Sequence, residues 1–262
     1  MVQPGNVLVT GAAARIGREI SLSLAKAGWN VAVHYASSGD AASSTAQEIR
    51  RHGVRAEKLQ ADLLDEKAIK GLVPAAAEAL GGPLTMLINN ASIFEYDTIK
   101  SATRESWDRH MMSNLRAPFI LTQDFAAQAP DVEKADDGRP LAQGVVINMI
   151  DMRVRKLTPQ FMTYTLAKSA LWTFTQTAAQ ALAPAIRVNA IGPGPTLKAA
   201  RQSAQHFADQ QAATILQRGS DPQGITEAVH FIVNSSGLTG QLLCIDGGQH
   251  LAWETPDVLG VE

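Results

Sequence analysis

The sequence predicts an α/β protein, one doubly wound parallel sheet of about seven strands with helices on both faces. Three observations carry this. Short apolar runs rich in β-branched residues alternate with longer stretches of helical periodicity. The strand-like runs are nearly continuous in apolar residues, as burial on two faces requires. No internal repeat or linker divides residues 1–262, so a single domain is expected.

In chain order, the candidate strands are Asn6–Thr10, Asn30–Tyr35, Val54–Gln60, Leu84–Asn89, Val145–Ile150, Ile186–Ala190 and Leu242–Ile245. Helical periodicity fills Arg15–Ala27, Ala41–His52, Glu66–Leu80, Arg104–Ala129 and Thr163–Leu182. Parallel neighbours need a crossover between them, and a helix is the usual one. Two stretches break the rhythm. Ala129–Gly144 is polar, contains Pro and Gly, and reads as a surface loop. Gly192–Gln211 opens on two Gly-Pro steps and then turns helical. A loop beyond a strand's carboxyl end can close over a ligand, so residues 195–215 are expected to form a substrate loop. The tail, Ala252–Glu262, has no clear periodicity.

Bulk composition excludes several classes. Apolar residues make up 45% and charged residues 18%, an ordinary globular balance. The formal net charge of -2 leaves no basic footprint for nucleic acid. No apolar run approaches the ~18 residues that span a bilayer, and the first residues lack a signal-peptide pattern. The single cysteine, Cys244, permits no internal disulfide and no Cys cluster for a metal. A cytoplasmic protein with no metal site and no membrane partner is expected.

The segment "VLVTGAAARIGREI" places Gly11 at a strand end and Gly17 at the start of a helix. Glycine lets the backbone approach a pyrophosphate, and the helix N-terminus offers free N–H groups and partial positive charge. The second strand's end decides between nucleotides. An acid there holds a free ribose 2′-hydroxyl and repels a 2′-phosphate. Here His34, Tyr35, Ser37 and Ser38 precede any acid, and Arg15 adds a cation, which favours NADPH over NADH. The plainer alternative makes Arg15 a solvated residue and the serines caps of the next helix. Asp62 either accepts from an adenine amino group or caps a helix. Asn89 and Asn90 satisfy backbone groups where a strand opens beside a cofactor. Asn114 is a polar residue within a helical stretch, where such residues are usually solvated or bonded to backbone.

Tyr164 and Lys168 lie four residues apart in a helical segment and share one face. An ammonium near a phenol is expected to lower its pKa, making the tyrosine a usable acid near neutral pH. With the preceding motifs in order, the chain from about residue 6 to 248 resembles the short-chain dehydrogenase/reductase family. The resemblance rests on Thr10-Gly11-x5-Gly17, Asn89-Asn90-Ala91, Asn114, Tyr164-x-x-x-Lys168 and Pro193-Gly194. It implies a Rossmann-type sheet, Tyr164 as acid/base, Lys168 on the nicotinamide ribose, and Asn114 at a helix kink holding a relay water. It also implies cofactor contacts from Gly11, Arg15, Ile16, Gly17, His34, Tyr35, Ser37, Ser38, Asp62 and Leu63. Asn90, Ala91, Ser92, Tyr164, Lys168, Pro193, Gly194 and Thr196 would complete the set. Members usually form homotetramers through their long helices, and Arg104–Ala129 and Thr163–Leu182 bear apolar residues on several faces.

One position departs. The family has a serine thirteen residues before the tyrosine; this chain has Asp151. In that respect it resembles the pteridine reductases and the bacterial dihydromonapterin or alternative dihydrofolate reductases. Arg15, His34-Tyr35, Ser38, Gln60–Leu63 and Asn89–Phe94 agree. The likeness implies a pterin or folate substrate touched by Ser92, Phe94, Asp151, Tyr164 and Leu197, with Phe94 stacking on the ring. Phe94 as ordinary packing, and Asp151 as a cap or an ion pair with Arg153 or Arg155, are the alternatives. Ser37 stands where that subgroup often has arginine, and Pro195–Gln211 matches no subgroup loop in detail. A carboxylate cannot donate to a carbonyl oxygen; beside the tyrosine, mutual repulsion should raise both groups' affinity for a proton. Such a pair suits proton delivery to the nitrogen of a C=N bond. The competing expectations are a carbonyl or alcohol oxidoreductase, such as a 3-oxoacyl or sugar ketone reductase, and a non-catalytic NADP(H)-binding regulator.

Overall fold

The computed structural model describes residues 3–198 and 202–255. The first half runs β1 (Asn6–Val9), α1 (Arg15–Lys26), β2 (Asn30–Tyr35), α2 (Gly39–Arg50), β3 (Ala56–Gln60), α3 (Glu66–Leu80) and β4 (Leu84–Asn89). Then come α4 (Arg104–Met111), a π-helical turn (Met112–Arg116), α5 (Ala117–Gln128), β5 (Glu133–Lys134) and β6 (Pro140–Leu141). The chain continues with β7 (Gly144–Met149), α6 (Met162–Leu182), β8 (Ile186–Pro193), α7 (Ala204–Ala212), α8 (Pro222–Asn234) and β9 (Leu242–Ile245).

Seven strands form one sheet in the order β3-β2-β1-β4-β7-β8-β9, and every pairing in it is parallel. Alternate side chains of each central strand enter different cores. Val7, Val9, Val31, Val33, Met86 and Ile88 pack with Ile20, Leu24, Ile49 and Ile225 from α1, α2 and α8. Leu8, Ala32, Leu87 and Val146 face Ile69, Leu72, Leu121, Phe125 and Ala178 from α3, α5 and α6. This two-sided burial is why the sequence reads as continuous apolar runs. β3 is an exception: at the sheet edge its AEKLQ buries only Ala56 fully.

Three local differences have physical causes. The long helical stretch Arg104–Ala129 is broken at Met112–Arg116, where the Ala117 N–H bonds back five residues to Met112 O. Pro118 follows at once; lacking an N–H and crowding the carbonyl four residues earlier, it disfavours a regular turn there. The polar stretch after Ala129 folds into a two-strand hairpin, β5 with β6. Helix α8 was not among the segments read from sequence, although Asp221 caps it and Pro222 starts it. Of the predicted substrate loop, residues 199–201 lie outside the described residues, as does the tail from 256. Among the described residues no helix is long and apolar enough to cross a membrane.

Candidate active site

The chain winds outward from β1 to β3, then returns to place β4 on the other side of β1. At such a switch point the flanking loops diverge and open a crevice at the strands' carboxyl ends. Gly11 follows β1, Asn90 follows β4, Asp151 follows β7 and Gly194 follows β8. A cleft of about 550 Å³ opens there, with Arg15, Ile16, Asn90, Ser92 and Phe94 on one side. Asp151, Tyr164, Lys168, Pro193, Gly194, Thr196 and Leu197 also line it.

The Gly-rich turn is built for close approach. Gly11 has φ +63°, and a Cβ on Gly17 would sit 2.2 Å from Gly11 O and 2.5 Å from Asn90 Nδ2. Asn90 fastens the turn, donating through Nδ2 to Thr10 O (2.8 Å) and Gly11 O (3.2 Å), while Thr10 Oγ1 accepts from Asn90 N and Ala91 N. At the head of α1, Ala14 supplies no side-chain cap. The first-turn N–H groups therefore lack a side-chain partner, and a donor set of this kind beside the glycine turn fits the phosphates of a dinucleotide.

Several residues occupy other places than those expected. His34 is buried; its Nδ1 accepts from Gly11 N (2.9 Å) and its Nε2 donates to Ala61 O (3.0 Å). Burial lowers its pKa, which keeps that neutral tautomer. Both nitrogens are engaged, so His34 supports the glycine turn through Gly11 N. Arg15, at φ +55°, donates to Leu197 O and Lys198 O, each at 3.1 Å, and so ties the glycine turn to the 195–198 segment. Ser38 heads α2 without a side-chain cap bond, so the capping alternative fails there. Asp62 accepts from Leu64 N in a turn, and the cap of α3 is Asp65. Leu63 is buried in the core, outside the cleft lining. Tyr35 and Ser37 stand at the crevice end of β2 without lining the cleft.

Asn114 is fully buried in the π-helical turn, where Oδ1 accepts from Ile93 N (2.9 Å) and Nδ2 donates to Ile93 O (2.8 Å). It thereby anchors the strand of chain that carries Phe94. Lys168 is buried and donates to Met149 O (2.7 Å), with Nζ 5.8 Å from the Tyr164 ring centroid. Burial lowers its pKa to about 8, partly countered by Asp151.

Asp151 combines both readings open to it. Oδ1 accepts from Arg153 N (2.8 Å) and caps the short 3₁₀ turn Met152–Val154; Oδ2 accepts from the Tyr164 hydroxyl (2.9 Å). Burial raises the Asp151 pKa, offset in part by the Arg153 backbone bond and charge, by Tyr164 and by Lys168. Burial and then the Asp151 charge push Tyr164 well above the ordinary tyrosine value of 10. Of the two opposing influences expected on the phenol, the raising by Asp151, reinforced by the loss of water, prevails over the lowering by the Lys168 ammonium.

The aromatic side of the cleft was only partly foreseen. Phe94 stacks on Phe161 at 4.4 Å and 17°, and tilts over Tyr164 at 4.6 Å. Arg153 lies 5.0 Å over the other partner, Phe161, and its Nη1 donates to Thr158 Oγ1 (2.6 Å). Phe161 precedes α6 in a left-handed conformation, φ +55°, for which the sequence offers no signal.

The chain belongs to the short chain dehydrogenase family, whose pattern it matches over residues 5–209. Its fold and sequence are similar to FolM alternative dihydrofolate reductase 1 from Brucella suis, solved with NADP. The two share 44% identity over 98% of this chain and 100% of that one, with a TM-score of 0.90. The Brucella canis protein of the same name, also complexed with NADP, is 42% identical over 99% of this chain and all of its own, at TM-score 0.89. The 3-oxoacyl-[acyl-carrier-protein] reductase FabG of Staphylococcus epidermidis is 29% identical, covering 94% of this chain and 99% of that protein.

Proposed function

We propose that this chain is an NADPH-dependent reductase of dihydropterins, dihydrofolate included. The observation that carries the reading is the 2.9 Å bond from the Tyr164 hydroxyl to Asp151 in the cleft. A carbonyl reductase needs a neutral donor beside its tyrosine to polarise C=O. Here that place holds an acceptor, which draws the tyrosine's own proton toward itself. A buried carboxyl with raised proton affinity is instead a proton source.

When bound, NADPH supplies the hydride to the carbon of the ring C=N. The Asp151–Tyr164 pair gives a proton to the adjacent nitrogen as that π pair becomes its new N–H bond, and water returns the proton to the pair. Gly11, Ile16, Gly17, Asn90, Ala91, Pro193, Gly194 and Thr196 form the cofactor's cradle, and Lys168 holds the nicotinamide ribose. With no acid before Asp40 at the end of β2, Tyr35, Ser37 and Ser38 leave room for a 2′-phosphate. Phe94 offers an aromatic face, with Ser92 and Leu197 bordering the slot. The identity with the two Brucella reductases supports the substrate class. The 195–215 segment acts as the substrate loop. Half-exposed Met111, Met112, Leu115 and Phe119 of the α4–α5 region line an apolar groove that supports a homotetramer.

The test follows NADPH oxidation with dihydrobiopterin, dihydrofolate and a panel of ketones including a 3-oxoacyl thioester. Pterin turnover that Asp151→Ser greatly reduces is expected. Turnover of ketones alone, or pterin turnover and a pH profile untouched by Asp151→Ser, overturns the reading.

A further inference from the structure

Behind Phe94 and Tyr164, and outside the cleft lining, lies a buried polar chain that the proposed chemistry does not use. Asp97 is 2% exposed, Thr163 2% and His110 0%. Asp97 Oδ2 accepts from Thr163 Oγ1 in a short bond and from Ser106 Oγ (3.1 Å), and its Oδ1 accepts from Thr163 N (3.1 Å). Its backbone O accepts from Phe161 N (2.8 Å). Helix α6 has no side-chain cap of its own, so Asp97 caps it from 66 residues away.

The chain has one direction. Glu95 N donates to His110 Nε2 (3.2 Å), which leaves Nδ1 as the protonated nitrogen that donates to Thr163 Oγ1 (2.7 Å). The threonine hydroxyl then donates onward to Asp97. Burial lowers the His110 pKa and so preserves the neutral ring this direction requires. The His110 ring meets the Tyr164 ring edge-on at 5.9 Å. Arg109 pairs with Glu95 at 2.8 Å, holding the same segment from outside.

Residues 93–97 carry Phe94, and the first turn of α6 carries Tyr164. We propose that Asp97, acting through Thr163 and His110, is a positioning residue that fixes the Phe94–Tyr164 slot and thereby sets substrate affinity. This rests on the pterin-reductase reading for its assay substrate, not for its geometry. Asp97→Asn is the discriminating change. It keeps the shape but turns one acceptor into a donor, and the threonine hydroxyl can then donate only toward His110. That requires the other tautomer, whose Nε2–H collides with the Glu95 N–H.

Asp97→Asn is expected to raise the dihydropterin KM about tenfold, with kcat changed by less than about threefold. NADPH affinity, read by fluorescence, stays that of the wild type, because the glycine turn is untouched. Thr163→Ser retains wild-type KM; Thr163→Val behaves like Asp97→Asn. A crystal structure of Asp97→Asn should show the 4.6 Å Phe94–Tyr164 spacing widened, which reads the slot without any substrate. A lowered Tm with unchanged KM and unchanged spacing overturns the proposal and leaves a merely structural network. If the wild type reduces no dihydropterin, the pterin reading fails, while the crystal structure and the variant series on whichever ketone is reduced still decide the positioning role.

Discussion

Lys168→Met isolates the energetic cost of the buried ammonium. Lys168 is 2% exposed, and burial takes its pKa from 10.5 to about 8. That difference corresponds to about 3 kcal/mol disfavouring the charged form in the folded state. Methionine fills similar volume without the charge, but leaves Met149 O without its 2.7 Å donor. An unpaired buried carbonyl costs about 1–3 kcal/mol, so at pH 7 the ligand-free variant should be between equal to wild type and about 2 kcal/mol more stable. The sharper signal is the pH dependence. Between pH 8 and 10.5 the unfolded lysine binds a proton that the folded one has released. The stability tied to this depressed pKa is therefore fully present above pH 10.5 and is lost as pH falls to 8. Urea melts at pH 7 to 10.5 should give a wild-type minus variant difference that rises by about 1.4 kcal/mol per pH unit, saturating near 3 kcal/mol. A flat difference would show that Lys168 stays protonated throughout and would refute the desolvation argument. Turnover should meanwhile be lost in the variant.

Activity of the wild type should decline as pH rises through the raised pKa of the Asp151–Tyr164 pair, because only the protonated pair donates. In Asp151→Asn that limb should vanish and kcat should drop by about a hundredfold, the usual worth of a positioned acid; a retained limb assigns it to another group. Gly17→Ala forces a Cβ to within 2.2 Å of Gly11 O and should raise the NADPH Kd more than about tenfold, measured by fluorescence titration. Phe94→Leu removes stacking on Phe161 and Tyr164, pairs worth about 0.5–1.5 kcal/mol each, so substrate KM should rise with NADPH affinity unchanged. Light scattering after size exclusion should give a tetramer mass, and charging the α4–α5 groove with Leu115→Glu should reduce it.

What could be read in advance depended on how local the physics was. β2, β4, β9 and α3 coincide with the segments expected from periodicity, because two-sided burial and caps write themselves into adjacent residues. Asp151 and Tyr164 were placed together from a thirteen-residue spacing, since β7 and the first turn of α6 rigidly deliver both to the cleft. What sequence does not show is set by distant partners. His34 bonds to Gly11 and Ala61, on two other strand ends. Arg15, which lines the cleft, also donates to carbonyls more than 180 residues away. Lys168 acts to lower the tyrosine pKa and Asp151 to raise it. Burial decides here: the same exclusion of water lowers the lysine pKa and raises those of the aspartate and the tyrosine. Each of these shifts disfavours the charged form of its own group. Under the proposed function, a proton held between Asp151 and Tyr164 would pass to a ring nitrogen, where the family's serine would instead donate to a carbonyl oxygen.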